Sequence, residues 1–383
     1  MMKLEDNINK MYLLKAVKWF MILMPIIVLF FEKHGLSLTQ IMILQATYSF
    51  TVALFEIPSG FFADIYGRRL SLFFGSILTF LGYLIFSFYS GFNEFFIAEI
   101  FLGIGGSLIS GADSALIYDT LLELKKDEDY TKIEGKNYGI GNVSEGLAGV
   151  LGGFLAVSSL ELPVYIQTFV LFFSIPLSYS LVEPKSSYKL AKNFKSILLV
   201  VKETFFQKNR LKWYILYSSA MGIGTLSIAW FVQPFLMEID TPLIYYGIIW
   251  ASLNIITGIT SYYSYIFDKG KILIYISLSM LISFILLGFN ISIYGFIFIV
   301  LIYFLRGIIT PNLRNLININ STSERRATVL SLRSFVIRIS FALIAPILGY
   351  ITDVYEISYV FYFLGLLVGL SSLLAVYKLK INN

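Results

Sequence analysis

The chain has 383 residues, 57% of them hydrophobic and only 14% charged, with a mean hydropathy of +0.77, whereas soluble domains carry about a quarter charged residues. That composition excludes a water-soluble domain as the main architecture, and the net charge of +5 takes its meaning from where the basic residues fall. The absence of cysteine and the single histidine exclude disulfides, thiolate metal sites and a histidine cluster.

Apolar stretches of about 20 residues, the length a membrane-crossing helix needs, recur along the chain. They predict helices near 11–31, 38–62, 70–90, 94–118, 136–158, 163–182, 211–237, 242–266, 272–290, 293–315, 326–350 and 356–377. The first follows a basic leader with Lys3 and Lys10 but lacks a small-residue cleavage pattern, so it reads as a retained helix. Lys15 and Lys18 near its start read as snorkelling to the interface, and His34 beside Glu32 and Lys33 reads as solvated. Lysines and arginines fill the leader, the Arg68/Arg69 turn, 125–136, 185–212, Lys269/Lys271, Arg325/Arg326 and the tail, while the opposite loops hold only Lys33. Basic loops stay inside, which predicts cytoplasmic termini and a cytoplasmic central segment.

The expected fold is therefore all-α and polytopic, with twelve transmembrane helices in two pseudo-symmetric six-helix bundles, 1–182 and 211–383, joined by a linker at 183–210. Within the linker Phe194, Ile197, Leu198, Val201 and Phe205 recur at helical spacing with Lys195 and Lys202 opposite, the pattern of an amphipathic helix lying on the bilayer. The halves echo one another. Asp64 after the second helix matches Asp268 after the eighth, and Gly152-Gly153 matches Leu348-Gly349, a duplication typical of transporters that rock two halves around a central site.

Between the second and third helices the chain reads Gly60-Phe-Phe-Ala-Asp64-Ile-Tyr-Gly67-Arg68-Arg69, with a weaker copy at Asp268-Lys269-Gly270-Lys271. This turn resembles the signature loop of the major facilitator superfamily, and the resemblance covers nearly the whole chain. It implies a transporter fold and a gating role for Gly60, Asp64, Gly67 and Arg68. In residue terms, Gly60 admits a close helix neighbour and Gly67 permits a sharp turn. Arg68 or Arg69 can pair with Asp119 at the cytoplasmic end of the fourth helix. Two further family motifs are altered. Glu99 stands four residues before Gly103 where many proton-coupled members have arginine, and Leu147 to Gly153 resembles the glycine-rich antiporter motif without its Gly-Pro step.

Ionisable groups at membrane depth are functional hypotheses by default. Glu99, Gly103, Gly106, Ser110 and Asp113 fall on one stripe of the fourth helix, and Glu145 shares a stripe of the fifth with Gly149 and Gly152. Glu145, then Asp113, with Glu99, are the candidates for proton coupling. Arg306 lies mid-way along the tenth helix and Arg338 on a small or polar stripe of the eleventh; both join Trp230, Gln233 and Asn254 as candidate cavity residues, with Trp250 beside them. Structural pairing and aromatic packing are the alternatives for each. Glu56 and Arg333 lie at matching depths, about 12 Å from Asp64 and about 10 Å from Arg326 by helix rise, and are expected to form an ion pair between the halves.

These residues point to secondary active transport of a small organic solute by alternating access across the cytoplasmic membrane, coupled to protons. Efflux of amphipathic compounds ranks first, uptake of a sugar, organic acid or other nutrient second, and a non-transporting receptor is the alternative of another class. A monomer in lipid, without metal, cofactor or nucleic acid, is expected, and no nucleotide-binding loop or catalytic pair suggests an enzyme.

Overall fold

The structure is a computed structural model that describes residues 3–185, 204, 210–267, 272–322 and 326–381. Most of the amphipathic stretch at 194–205, and the acidic-basic turn at 268–271, lie outside the described residues. The described elements are all helical, and 12 helical spans are long and apolar enough to cross a membrane. Helix is the natural choice in a chain so apolar, because every backbone donor and acceptor then finds its partner within the span. Their outward faces carry large apolar side chains such as Phe169, Ile255 and Leu343, the reverse of a water-facing surface.

In chain order, α1 (Asn7–Trp19) and α2 (Ile27–Lys33) make the first span, followed by α3 (Leu38–Tyr66) and α4 (Arg68–Phe88). The fourth span consists of α5 (Phe92–Ser110) and α6 (Asp113–Glu123), the fifth of α7 (Tyr130–Ser158), and the sixth of α8 (Leu162–Phe172) and α9 (Ser174–Tyr179). The remaining spans are α10 (Arg210–Glu238), α11 (Ile244–Tyr262), α12 (Ile272–Phe289), α13 (Phe296–Ile319), α14 (Arg326–Val354) and α15 (Ile357–Ile381).

The first, fourth and sixth spans depart from the continuous helices expected. Pro25 has no N–H for the Met21 carbonyl, and α1 ends at Trp19, with a short 3-10 turn over Met24–Ile26 before α2 begins. The interruption is filled from two sides. The Ile22 N–H donates to Gln167 Oε1 at 2.7 Å, and α7 approaches so closely at Gly152 that a Cβ there would overlap the Ile22 carbonyl oxygen. In the fourth span the helix stops at Ser110 and restarts at Asp113, whose Oδ1 accepts the Ser114 N–H at 2.7 Å.

The chain divides into two compact units. The first holds Met1–Leu36, Thr47–Ala191 and Pro242–Ala251, and the second Ser37–Ala46, Lys192–Thr241 and Ser252–Asn383. The opening turns of α3 thus belong to the second unit and those of α11 to the first. In the first unit Met11, Leu14, Ala63, Leu72, Ala112, Leu116, Ile117, Leu121 and Leu181 form a buried apolar cluster that binds α1, α3, α4 and α6 beneath the signature turn.

Candidate functional site

The signature turn is a closed electrostatic unit. Gly67 stands at φ +102°, a conformation that side chains disfavour, and it lets α4 begin immediately after α3 ends. Arg68 reaches back one helical turn to Asp64, Nη1 to Oδ1 at 2.6 Å, and its Nε stands 3.7 Å from Asp119 Oδ2. Arg69 instead donates from Nε to the Tyr179 carbonyl at 3.1 Å and stacks its guanidinium over the Tyr179 ring. A Cβ at Gly60 would meet no described atom within 4 Å, while one built on Gly111 of the fourth span would lie 3.8 Å from the Gly60 Cα.

The residue that sequence reasoning missed here is Glu183. Its two carboxylate oxygens accept the Arg68 and Arg69 N–H groups at 2.8 and 2.7 Å, which places a negative charge on the positive end of α4. The neighbouring chain is tied down as well. Asn7 exchanges hydrogen bonds with the Val182 backbone at 2.8 and 2.9 Å and reaches Thr120 at 3.1 Å, and the Lys185 N–H donates to Glu123. The signal lay in Leu181-Val182-Glu183-Pro184, an acid directly before a proline in the non-helical stretch that follows the sixth span.

Deeper in the same unit, the two interrupted spans bring charges together. Lys15 Nζ lies 3.4 Å from Asp113 Oδ2 and 4.7 Å over the Trp19 ring. Lys18 Nζ is buried without a hydrogen-bond partner. Neither lysine extends outward as the snorkelling reading expects: Lys15 turns to Asp113 on α6, and Lys18 Nζ is buried. Next to Asp113, Ser114 Oγ donates to Glu134 Oε1 at 2.5 Å.

At the opposite end, Lys33 Nζ pairs with Glu161 Oε1 at 2.5 Å, and Ser159 Oγ donates to the other carboxylate oxygen at 2.5 Å. The bonds from Lys33 and then Ser159 hold the Glu161 carboxyl down at about 2. His34 is half-buried, with Nδ1 2.8 Å from the Phe30 carbonyl and its ring against Phe30 and Phe95; it is not the solvated side chain expected. In the second unit, Asp353 accepts the Leu38 and Thr39 N–H groups at 3.0 and 2.8 Å, capping α3.

The family model described as Major Facilitator Superfamily matches residues 12–320. The chain belongs to that superfamily. Solved structures of similar fold include the nucleoside transporter NupG, at 12% identity and a TM-score of 0.79, with 100% of this chain and 99% of that one covered. A D-xylose-proton symporter follows at 14% identity and 0.75, covering 96% and 95%, and a peptide transporter POT bound to sulfate at 13% and 0.78, covering 98% and 95%. At such identities the likeness establishes fold alone. No curated protein matches the sequence.

The other expected residues of this facilitator are distributed between the units. Glu99 is 3% exposed and Glu145 half-buried on α7; Glu56 lies on α3, its carbonyl accepting the Ser59 hydroxyl at 3.0 Å. In the second unit, Arg306 stacks 5.7 Å from the Tyr303 ring, Gln233 is buried, and Trp230, Asn254, Arg333 and Arg338 are partly exposed. Trp250 is buried against Gly149 within the first unit. No group of three or more potential metal ligands occurs among the described residues. Chemically, the first unit offers a carboxylate beside two amines within its first and fourth spans, a setting in which burial penalises charge and a neighbouring charge of opposite sign favours it.

Proposed function

We propose that this facilitator is a proton-coupled secondary transporter that carries a small polar organic solute through the cytoplasmic membrane by alternating access, as a monomer with both termini inside. The observation that carries the reading is the Lys15–Asp113 pair, 3.4 Å apart at the interruption of two membrane-crossing helices. A carboxylate whose ammonium partner moves away in a low-dielectric surrounding takes up a proton, and gives it back when the partner returns. Asp113 therefore moves ahead of Glu145 and Glu99 as the coupling carboxylate.

A nucleoside transporter, a D-xylose-proton symporter and a peptide transporter share this fold, so a polar solute stands beside the amphipathic one, and uptake beside the efflux that ranked first from sequence. Efflux keeps the support of the signature turn and of the many aromatic side chains, while the altered motifs at Glu99 and at Leu147 to Gly153 weaken it. In this reading Asp64, Gly67, Arg68, Arg69 and Asp119 form the cytoplasmic gate, Gly60 leaves room for its closure, and Glu56 with Arg333 is the ion pair between halves. Arg306, Arg338, Trp230, Gln233 and Asn254 are the solute-facing candidates.

The test is a solute screen on purified protein in liposomes with an imposed pH gradient. Accumulation should follow the proton influx and reverse when the gradient is reversed. Transport indifferent to the gradient defeats proton coupling, and accumulation against proton influx assigns efflux.

A further inference from the structure

Within the first unit, unsatisfied polar atoms gather between α1, α6 and α7. Lys18 Nζ is buried and has no hydrogen-bond partner among the described residues. The charges that act on it most are Asp113 and Lys15, and these two are already committed to one another. An ammonium left alone at membrane depth costs several kcal/mol, so a fold that keeps one there points to a missing anion.

A second, independent group points the same way. Asn137 is 1% exposed, and among the described residues neither its Oδ1 nor its Nδ2 has a hydrogen-bond partner. A buried amide with both ends unmet is rare in a native core. Its level is set by the packing of α7 along α1. Lys136 Nζ lies over the Tyr12 ring at 4.9 Å, and a Cβ at Gly141 would touch Trp19. The two helices run parallel, and Asn137, one turn before Gly141 on the same face, falls at the level of Lys15, about one turn from Lys18. Of the acids at this level, Asp113 pairs with Lys15, and Glu134 accepts the Ser114 hydroxyl through Oε1 while its Oε2 is buried without a partner among the described residues. The Lys18 ammonium and the Asn137 amide are the donors that remain for a ligand.

We propose that Lys18, seconded by Asn137, is the anion-binding end of the solute site and takes a carboxylate group. The ammonium supplies the charge and the Asn137 Nδ2 a second donor, a combination suited to the two oxygens of a carboxylate. The interrupted first span frames the site, since the end of α1 stops the helix directly after Lys18, in the manner of transporter sites built at helix breaks. This inference rests on the transport reading and narrows its substrate class.

The experiment uses the full-length protein in detergent, with acetate and benzoate as probes, benzamide as the neutral control and inorganic phosphate as the other anion. Binding is read by calorimetry and by the thermal midpoint. A carboxylate should bind the unmodified protein at least about tenfold more tightly than benzamide or phosphate. Lys18→Met should lose that binding about thirtyfold or more while raising the unliganded midpoint, because it removes an unpaired buried charge. Lys18→Arg should retain binding within about fivefold, and Asn137→Leu should weaken it about tenfold. The proposal is overturned if no carboxylate binds, if benzamide or phosphate binds as well, or if Lys18→Met lowers the midpoint, which would reveal a structural partner. Carboxylate binding by a protein that moves nothing in liposomes defeats the transport reading and leaves the site. Gradient-driven transport by Lys18→Met at the unmodified rate defeats the site and leaves the transport reading.

Discussion

The two units treat the same kind of span differently. In the first unit the first, fourth and sixth spans are interrupted, whereas their counterparts in the second, α10, α13 and α15, run as single helices. Proline alone does not explain this, since Pro234 and Pro311 lie inside α10 and α13. In α13 nearby side chains take up backbone carbonyls: Thr310 Oγ1 donates to the Arg306 carbonyl at 2.8 Å and Asn312 Nδ2 to that of Ile308 at 2.9 Å. In the first span the repair comes from another helix, because Gln167 of α8 takes the Ile22 N–H, and the span stays open.

Charge follows the same division. The tenth and eleventh spans carry Arg306, Arg314, Arg333 and Arg338 against one carboxylate, Asp353 in the last turn. The first unit holds Lys15–Asp113, Lys33–Glu161 and the Asp64–Arg68–Asp119 set. The Lys15–Asp113 pair lies where two helices are broken, whereas the arginines of the tenth and eleventh spans lie on continuous helices.

The largest effect that sharpens this contrast is expected from Asp113→Asn. It should abolish gradient-driven accumulation, a loss of about a hundredfold or more, while solute exchange continues; Arg338→Leu should weaken solute binding and leave the proton dependence intact. Unchanged pH dependence in Asp113→Asn transfers the role to Glu145.

Next in size is the gate. Arg68→Ala removes contacts to both Asp64 and Asp119 and should slow transport about tenfold with solute binding little changed, because only the balance of states shifts. Normal rates would count against gating. The proposed Glu56–Arg333 pair joins the two units, and cysteines at these positions should cross-link and block transport. Glu56→Arg with Arg333→Glu should restore activity that each single change reduces; failure of both measurements removes the pair.

A smaller effect probes the packing that supports the break. Gly152→Ala puts a methyl group against the Ile22 carbonyl and should destabilise the protein by about 1–3 kcal/mol, read as a lower thermal midpoint. An unchanged midpoint would mean the broken segment adjusts freely.

The smallest effect is at Glu161. Lys33 is 48% exposed and Glu161 27%, so Glu161→Gln should cost less than about 1 kcal/mol at neutral pH. The folded carboxyl titrates at about 2 against its ordinary 4.5, so the stabilisation is full above 4.5 and disappears as pH falls toward 2. A difference that persists at the acid end would assign the effect to packing.

The spans and the all-helical fold were legible in the sequence because hydropathy is a property of consecutive residues. The signature turn was legible too, since Asp64, Gly67 and Arg68 are close in the chain, and a glycine at a sharp turn is a local demand. Lys18, Asn137 and Glu183 were not legible in their roles. Pro25 and Pro184 signal non-helical backbone near the ends of α1 and α9, but which distant group meets the freed backbone is a matter of packing. Only tertiary structure put Gln167 against Ile22, Glu183 on the first amides of α4, and Asp113 beside Lys15 so that Lys18 was left without a partner. Hydropathy reports what each segment prefers to be dissolved in; burial of a charge, and the partner it finds or lacks, is decided between segments far apart in sequence.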